Sequence, residues 1–116
     1  MVDDHKVLRD GLRVLVDGEN DLEVVSEAGT GEEAIRKIIA TTPDVVVLDI
    51  GLPDSSGIDI ASQIRQQELP VRIVILSMYG DRELIIRAIE AECDGYVPKS
   101  SAHTDLLLAI RTVYLG

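Results

Sequence analysis

The chain has little of what several protein classes require. It holds one cysteine, Cys93, in 116 residues. A single thiol cannot close an internal disulfide, so a disulfide scaffold is excluded and a reducing compartment fits. Cys93 itself reads as a small buried residue near a helix end. No stretch reaches the ~18 apolar residues of a transmembrane helix. Residues 1–20 carry acids throughout and lack the apolar core of a signal peptide. The expected location is therefore cytoplasmic, with no membrane contact. Bases are also scarce: 11 Lys and Arg face 21 Asp and Glu, a net charge of −10. Nucleic acid is held through basic patches on phosphate, so this surface is not built for it. No repeat, low-complexity tract or linker interrupts the chain. The length allows one domain with one core.

What is present is organised around Val45-Val46-Val47-Leu48-Asp49, followed by the turn-rich stretch Ile50 to Gly57. An unbroken apolar run between turn signals predicts a strand buried on both faces. Asp49 then stands at the strand end, where open α/β sheets place their sites. Val71 to Ser77 predicts a second buried strand, ending in a hydroxyl, and Tyr96-Val97 a short third one. Leu22 to Ala28 alternates partly and predicts an edge strand. Between these runs lie four helical patterns of about ten residues, with a fifth at the end. They are Lys6–Val16 (Val7, Leu8, Leu12, Leu15), Glu32–Ala40 (Ala34, Ile35, Ile38, Ile39), Ile58–Gln67, Asp81–Glu92 (Leu84, Ile85, Ala88, Ile89) and His103–Tyr114. Thr30 with Glu33 three residues on has capping-box spacing. The Gly29-Thr30-Gly31 turn lacks the pattern of a phosphate loop. Strands alternating with helices predict a parallel α/β sheet covered on both faces.

Parallel strands end along one edge. Four polar signals fall at such ends: the pair Asp3/Asp4, then Asp49, Ser77 and Lys99. Each alone reads as turn or cap chemistry. Together they gather three carboxylates, which repel one another unless a cation sits among them. An oxygen-rich site with room for water suits Mg²⁺ or Mn²⁺. Lys99 would offset remaining charge as a point cation, and Ser77 could donate a hydrogen bond to an anion held there.

The segments V-D-D-H, V-V-V-L-D-I-G-L-P-D-S-S-G, I-V-I-L-S and D-G-Y-V-P-K-S resemble the receiver domain of bacterial two-component response regulators, across essentially the whole chain. The D-D-H opening and the D-G-Y-x-x-K-S ending resemble the NarL/FixJ (LuxR-type) subfamily. The resemblance implies a CheY-like, flavodoxin-like fold: a doubly wound (βα)5 domain over residues 1–116, strand order 2-1-3-4-5. It implies Asp49 as phosphoacceptor. Asp3, Asp4 and Asp49 would hold Mg²⁺ (or Mn²⁺) with the backbone carbonyl of Gly51. Lys99 would contact the phosphoryl oxygens. Ser77 and Tyr96 would be the switch hydroxyl and switch aromatic, acting on the helix that ends near Glu92. The implied partner is a sensor histidine kinase. A homodimer on phosphorylation, through the last helix, is a further expectation. DNA would be reached only through an output domain absent from this chain. Such a domain is a signalling switch and not an enzyme, although it promotes its own phosphorylation and dephosphorylation.

Three features depart from the family pattern. The first strand is cut short, with only Met1 and Val2 ahead of the acids, so the expectation is a longer natural chain. Glu92-Cys93 stands where small residues such as Gly-Ala are usual. Lys99 is followed by Ser100 and not by proline. The competing readings are a Mg²⁺-dependent phosphatase using Asp49, and a receiver-like interaction module that is never phosphorylated. Haloacid-dehalogenase-type phosphatases need a second acid two residues after the nucleophile. Gly51 stands there instead.

Overall fold

The computed structural model describes residues 1–3, 5–51, 56–77 and 82–116, apart from the side chain of Leu84. Its elements run α1 (Lys6–Asp17), α2 (Gly31–Thr41), β1 (Val45–Asp49), α3 (Gly57–Gln66), β2 (Arg72–Ser77), α4 (Arg82–Glu90), β3 (Gly95–Pro98), a 3₁₀ turn (Lys99–Ser101) and α5 (Ala102–Leu115). The three strands form one parallel sheet in the order β1-β2-β3. Val45 pairs with Arg72 and Asp49 with Leu76, while Ser77 pairs with Pro98.

The side-chain alternation of a strand divides the core in two. Val46, Leu48, Ile73 and Ile75 face one side, where they bury Ile38 of α2, Ile64 of α3 and Ala88 of α4. Val47, Val74, Leu76 and Val97 face the other, against Leu12 of α1 and Leu106 and Ile110 of α5. Helices therefore cover both faces, as the strand–helix alternation predicts.

The expected edge strand over Leu22–Ala28 does not form. Only Ala28 makes a bridge, to Val2, which also bridges Leu48 on its other side. Ala28 N donates to Met1 O at 3.0 Å, Asp3 N to Ala28 O at 3.0 Å, and Asp49 N to Val2 O at 2.8 Å. The chain order across the sheet is thus residue 28, residue 2, β1, β2, β3, in agreement with the predicted 2-1-3-4-5 arrangement. A ladder needs a partner along its whole length. Met1–Asp3 reaches only the last residues of the 22–28 segment. Residues 22–27 border a cleft of about 700 Å³, lined by Leu22, Val24, Ile38, Val45 and Ile110 among others. Met1 N lies at this cleft and donates to Ser26 O at 3.1 Å.

Three apolar positions assigned to the core by periodicity lie outside it. Val7, Ile39 and Ile89 are exposed, because each helix buries only the narrow stripe that meets the sheet. Leu84 lies outside the described residues. Thr30 caps α2 as its spacing predicts, accepting from Glu33 N at 3.2 Å.

The end of α4 explains one departure from the family pattern. Glu92 N donates to Ile89 O and Cys93 N to Ala88 O, both at 3.0 Å, the paired bonds of a Schellman ending. That ending puts Glu92 at φ 61°, in the left-handed region that favours glycine. Glu92→Gly is expected to stabilise the fold by about 0.5–1 kcal/mol, the strain relieved exceeding the entropy that glycine adds to the unfolded chain. Urea unfolding measures this. A midpoint equal to or below the parent's refutes it.

Below this turn, Arg65 donates to Glu92 O and Val71 O and pairs with Asp94 at 2.8 Å, while Asp94 accepts from Ile73 N. This bonded knot holds the end of α3 to the starts of β2 and β3. Cys93 packs beside it against the core, and burial pushes its thiol up to about 11, which keeps it protonated at neutral pH.

Candidate phosphoacceptor site

Asp49 is the last residue of β1 and is 2% exposed. An apolar strand delivers it there, and Gly51 and Ser56 beyond it form an antiparallel bridge. Ser56 starts α3 by accepting from Ile58 N at 3.2 Å, and Gly57 N donates to Ile50 O at 2.9 Å. A side chain at Gly57 would collide with backbone. Its Cβ would stand 2.8 Å from Ile50 Cα and 2.9 Å from the Asp49 carbonyl carbon, and nearer still to Asp49 O. Glycine at this position is what allows α3 to begin against the strand that carries Asp49.

Both carboxylate oxygens of Asp49 are held. Oδ1 accepts from Gly51 N at 3.1 Å and Oδ2 from Lys99 Nζ at 2.8 Å. Lys99 comes from the 3₁₀ turn after β3, and its side chain is only 7% exposed. It reaches a second acid as well: Asp3 Oδ2 lies 3.4 Å from Nζ. Burial works against the Lys99 ammonium, but the Asp49 hydrogen bond and the charges of Asp49 and Asp3 outweigh it, so its pKa is raised. Lys99 is thus cationic at any physiological pH and stands between two buried acids.

Asp3 is fully buried. Its Oδ1 accepts from His5 N at 2.7 Å, with His5 Nδ1 at 3.2 Å. Its Oδ2 accepts no hydrogen bond. Arg9 on α1 fixes the backbone here by donating to Asp3 O at 2.7 Å, and also pairs with Glu27. Among the described residues the Lys99 ammonium, 3.4 Å away, is its charged partner, so this buried oxygen is balanced by a cation and not by a hydrogen bond. The donor set fits a divalent ion: one atom each from Asp3, His5 and Asp49 lie within 4.8 Å of one another. Asp4, also expected at this site, lies outside the described residues.

Of the remaining expected residues, Ser77 ends β2 one register beyond the Asp49–Leu76 pair and is 2% exposed. Its hydroxyl therefore shares the edge that carries Asp49. Tyr96 pairs with Ile75 lower on the sheet. It is half-buried and packs against the core that includes Ala88 of α4 and Ala91 just after it. The strand ends thus bring Asp3, Asp49, Ser77 and Lys99 to one edge, with Tyr96 two residues before the end of β3. Two participants were not assigned from the sequence. His5 stands inside the quoted V-D-D-H segment, at the helix start, two residues after Asp3. Gly57 stands inside the quoted loop segment.

Known proteins resemble this chain in sequence and in fold. The response regulator receiver domain family matches residues 1–111. The oxygen regulatory protein NreC of Staphylococcus epidermidis is 37% identical over 117 residues, which cover 100% of this chain and 54% of that protein. The chain thus spans about half the length of the curated relatives it matches. A LuxR-family two-component response regulator from Aurantimonas superposes with a TM-score of 0.94 at 40% identity, over 99% of this chain and 82% of that one. The signal receiver domain of NarL from Mycobacterium tuberculosis gives a TM-score of 0.94 at 30% identity, over 99% and 93%.

Proposed function

The chain belongs to the response regulator receiver family, and from that premise we propose that Asp49 accepts a phosphoryl group from a phosphohistidine of a sensor kinase. The observation that carries this reading is the placement of Asp49: a buried carboxylate at a strand end, aligned by Gly51 N and by a buried lysine. An Asp49 oxygen forms a bond to phosphorus as the histidine N–P bond breaks. The electron pair stays on the imidazole, which takes up a proton. The product is an acyl phosphate. Such transfer needs positioning and charge neutralisation more than covalent help. Lys99 Nζ would supply one fixed cation to the phosphoryl oxygens. Asp3, Asp4, Asp49 and the Gly51 carbonyl would hold Mg²⁺ (or Mn²⁺), which when bound neutralises the gathered negative charge.

The switch follows from the same placement. A phosphoryl group adds about two negative charges and three acceptor oxygens. The Ser77 hydroxyl would donate to one of them, and Tyr96 would turn into the space vacated. Both motions repack the face of α4, whose Ile86 and Ile89 are exposed. Phosphorylation would thus bias two pre-existing packings of that face. The output would be transcription, through a DNA-binding domain outside this chain, with dimerisation through α5. The family's role and the net charge of −10 support DNA binding by another domain and not by this surface. A cytoplasmic location fits this role. Among the described residues no helix is long and apolar enough to cross a membrane.

The test is intact mass after incubation with acetyl phosphate and Mg²⁺. One phosphoryl adduct is expected on the parent and none on Asp49→Asn or after chelation. An unmodified parent would sink the phosphoacceptor reading and favour an interaction module that is never phosphorylated.

A further inference from the structure

We propose that His5 is a nitrogen ligand of the cation at this site, which makes the site prefer Mn²⁺ over Mg²⁺. The inference rests on the metal-binding reading above and adds a residue and a selectivity to it.

His5 precedes α1 as its N-cap residue, but its side chain makes no capping hydrogen bond. Its ring is instead turned to the acidic edge. Nδ1 lies 3.2 Å from Asp3 Oδ1 and 3.4 Å from Lys99 Nζ. A ring nitrogen placed between a carboxylate and an ammonium occupies ligand position around a shared cation. Lys99 Nζ is the cation beside it here, also 2.8 Å from Asp49 Oδ2. The grouped donor atoms of Asp3, His5 and Asp49 lie within 4.8 Å of one another, so a small inward turn of the side chains brings them to the roughly 3–4.3 Å separations of donors around one octahedral ion with bonds of about 2.1 Å. The buried Asp3 Oδ2 without a hydrogen bond supplies a further oxygen.

The chemistry of the donor then sets the preference. Mg²⁺ takes oxygen ligands and sheds water reluctantly, so an imidazole offers it little. Mn²⁺ is larger, tolerates looser geometry and accepts nitrogen beside oxygen. A site of carboxylates alone would separate the two ions weakly; one with His5 would separate them more.

The full chain is titrated with each ion by calorimetry, and bound Mn²⁺ is examined by pulsed electron paramagnetic resonance. The parent is expected to show ¹⁴N modulation from a directly bound imidazole. His5→Ala and His5→Gln should lose that modulation. In both, the ratio of Mn²⁺ to Mg²⁺ affinity should fall about tenfold, with Mg²⁺ affinity within about twofold of the parent. The ring is 62% exposed, so neither substitution threatens folding. Asp3→Asn should weaken both ions. Bound Mn²⁺ without ¹⁴N modulation in the parent, or an unchanged ratio in both His5 variants, overturns the role of His5 and leaves the acidic site standing. If neither ion binds the parent, the proposal and the metal-binding reading fall together.

Discussion

Lys99→Met should lower the stability of the metal-free protein by about 3 kcal/mol or more, the usual cost of removing one partner from a buried ion pair. The methionine fills the space of the lysine stem and removes only the charge and its donors. Asp3 and Asp49, exposed by 0% and 2%, then lose the only cation that reaches both among the described residues. Mg²⁺ should restore much of the loss, because ligand binding to the folded state alone stabilises it by mass action. The stabilisation by Mg²⁺ should be larger in the variant than in the parent, where Lys99 competes for the same acids. Urea unfolding with chelator and with millimolar Mg²⁺ measures both effects. A variant as stable as the parent in chelator would mean that Lys99 does not neutralise this pair.

The second large effect is expected at Gly57. Gly57→Ala adds one carbon, yet that carbon meets the backbone of Asp49 and Ile50, including Ile50 Cα at 2.8 Å. Backbone cannot rotate away as a flexible side chain can, so the start of α3 or the end of β1 must move. Overpacking of this kind costs about 1–3 kcal/mol in side-chain cores and more where backbone is displaced. We expect a loss of more than about 3 kcal/mol, which is roughly 10 °C or more in Tm for a domain of this size. Phosphoryl uptake should fall as well, since Asp49 is the residue displaced. Thermal unfolding and the acetyl phosphate assay read the two effects. A fall of less than about 1 kcal/mol would show that the loop yields without disturbing the strand end.

The contrast between these two sites shows where information lay. Asp49 and Lys99 were legible as polar residues ending apolar strands, and their resemblance to a known set gave each a role. Gly57 and His5 stood in the quoted segments without one. A glycine in a turn-rich loop has many reasons to be there, and only the approach of α3 to residues 49 and 50 selects the steric one. Nothing in the sequence sets His5 apart, whereas the fold puts its ring beside Asp3 and beside Lys99, 94 residues away.

By itself the sequence determined the element order, the parallel sheet, the two-sided covering and the edge at which the charged residues meet. These follow from local rules: residue periodicity, turn chemistry and the fact that parallel strands end together. Only the tertiary structure decided which apolar residues are core, leaving Val7, Ile39 and Ile89 in solvent. It also left residues 22–27 without a ladder, because a strand exists only where another backbone lies within hydrogen-bonding reach. And it put Lys99 between Asp3 and Asp49 at 3.4 and 2.8 Å. Separations of that kind arise from packing between distant segments, which no local pattern encodes.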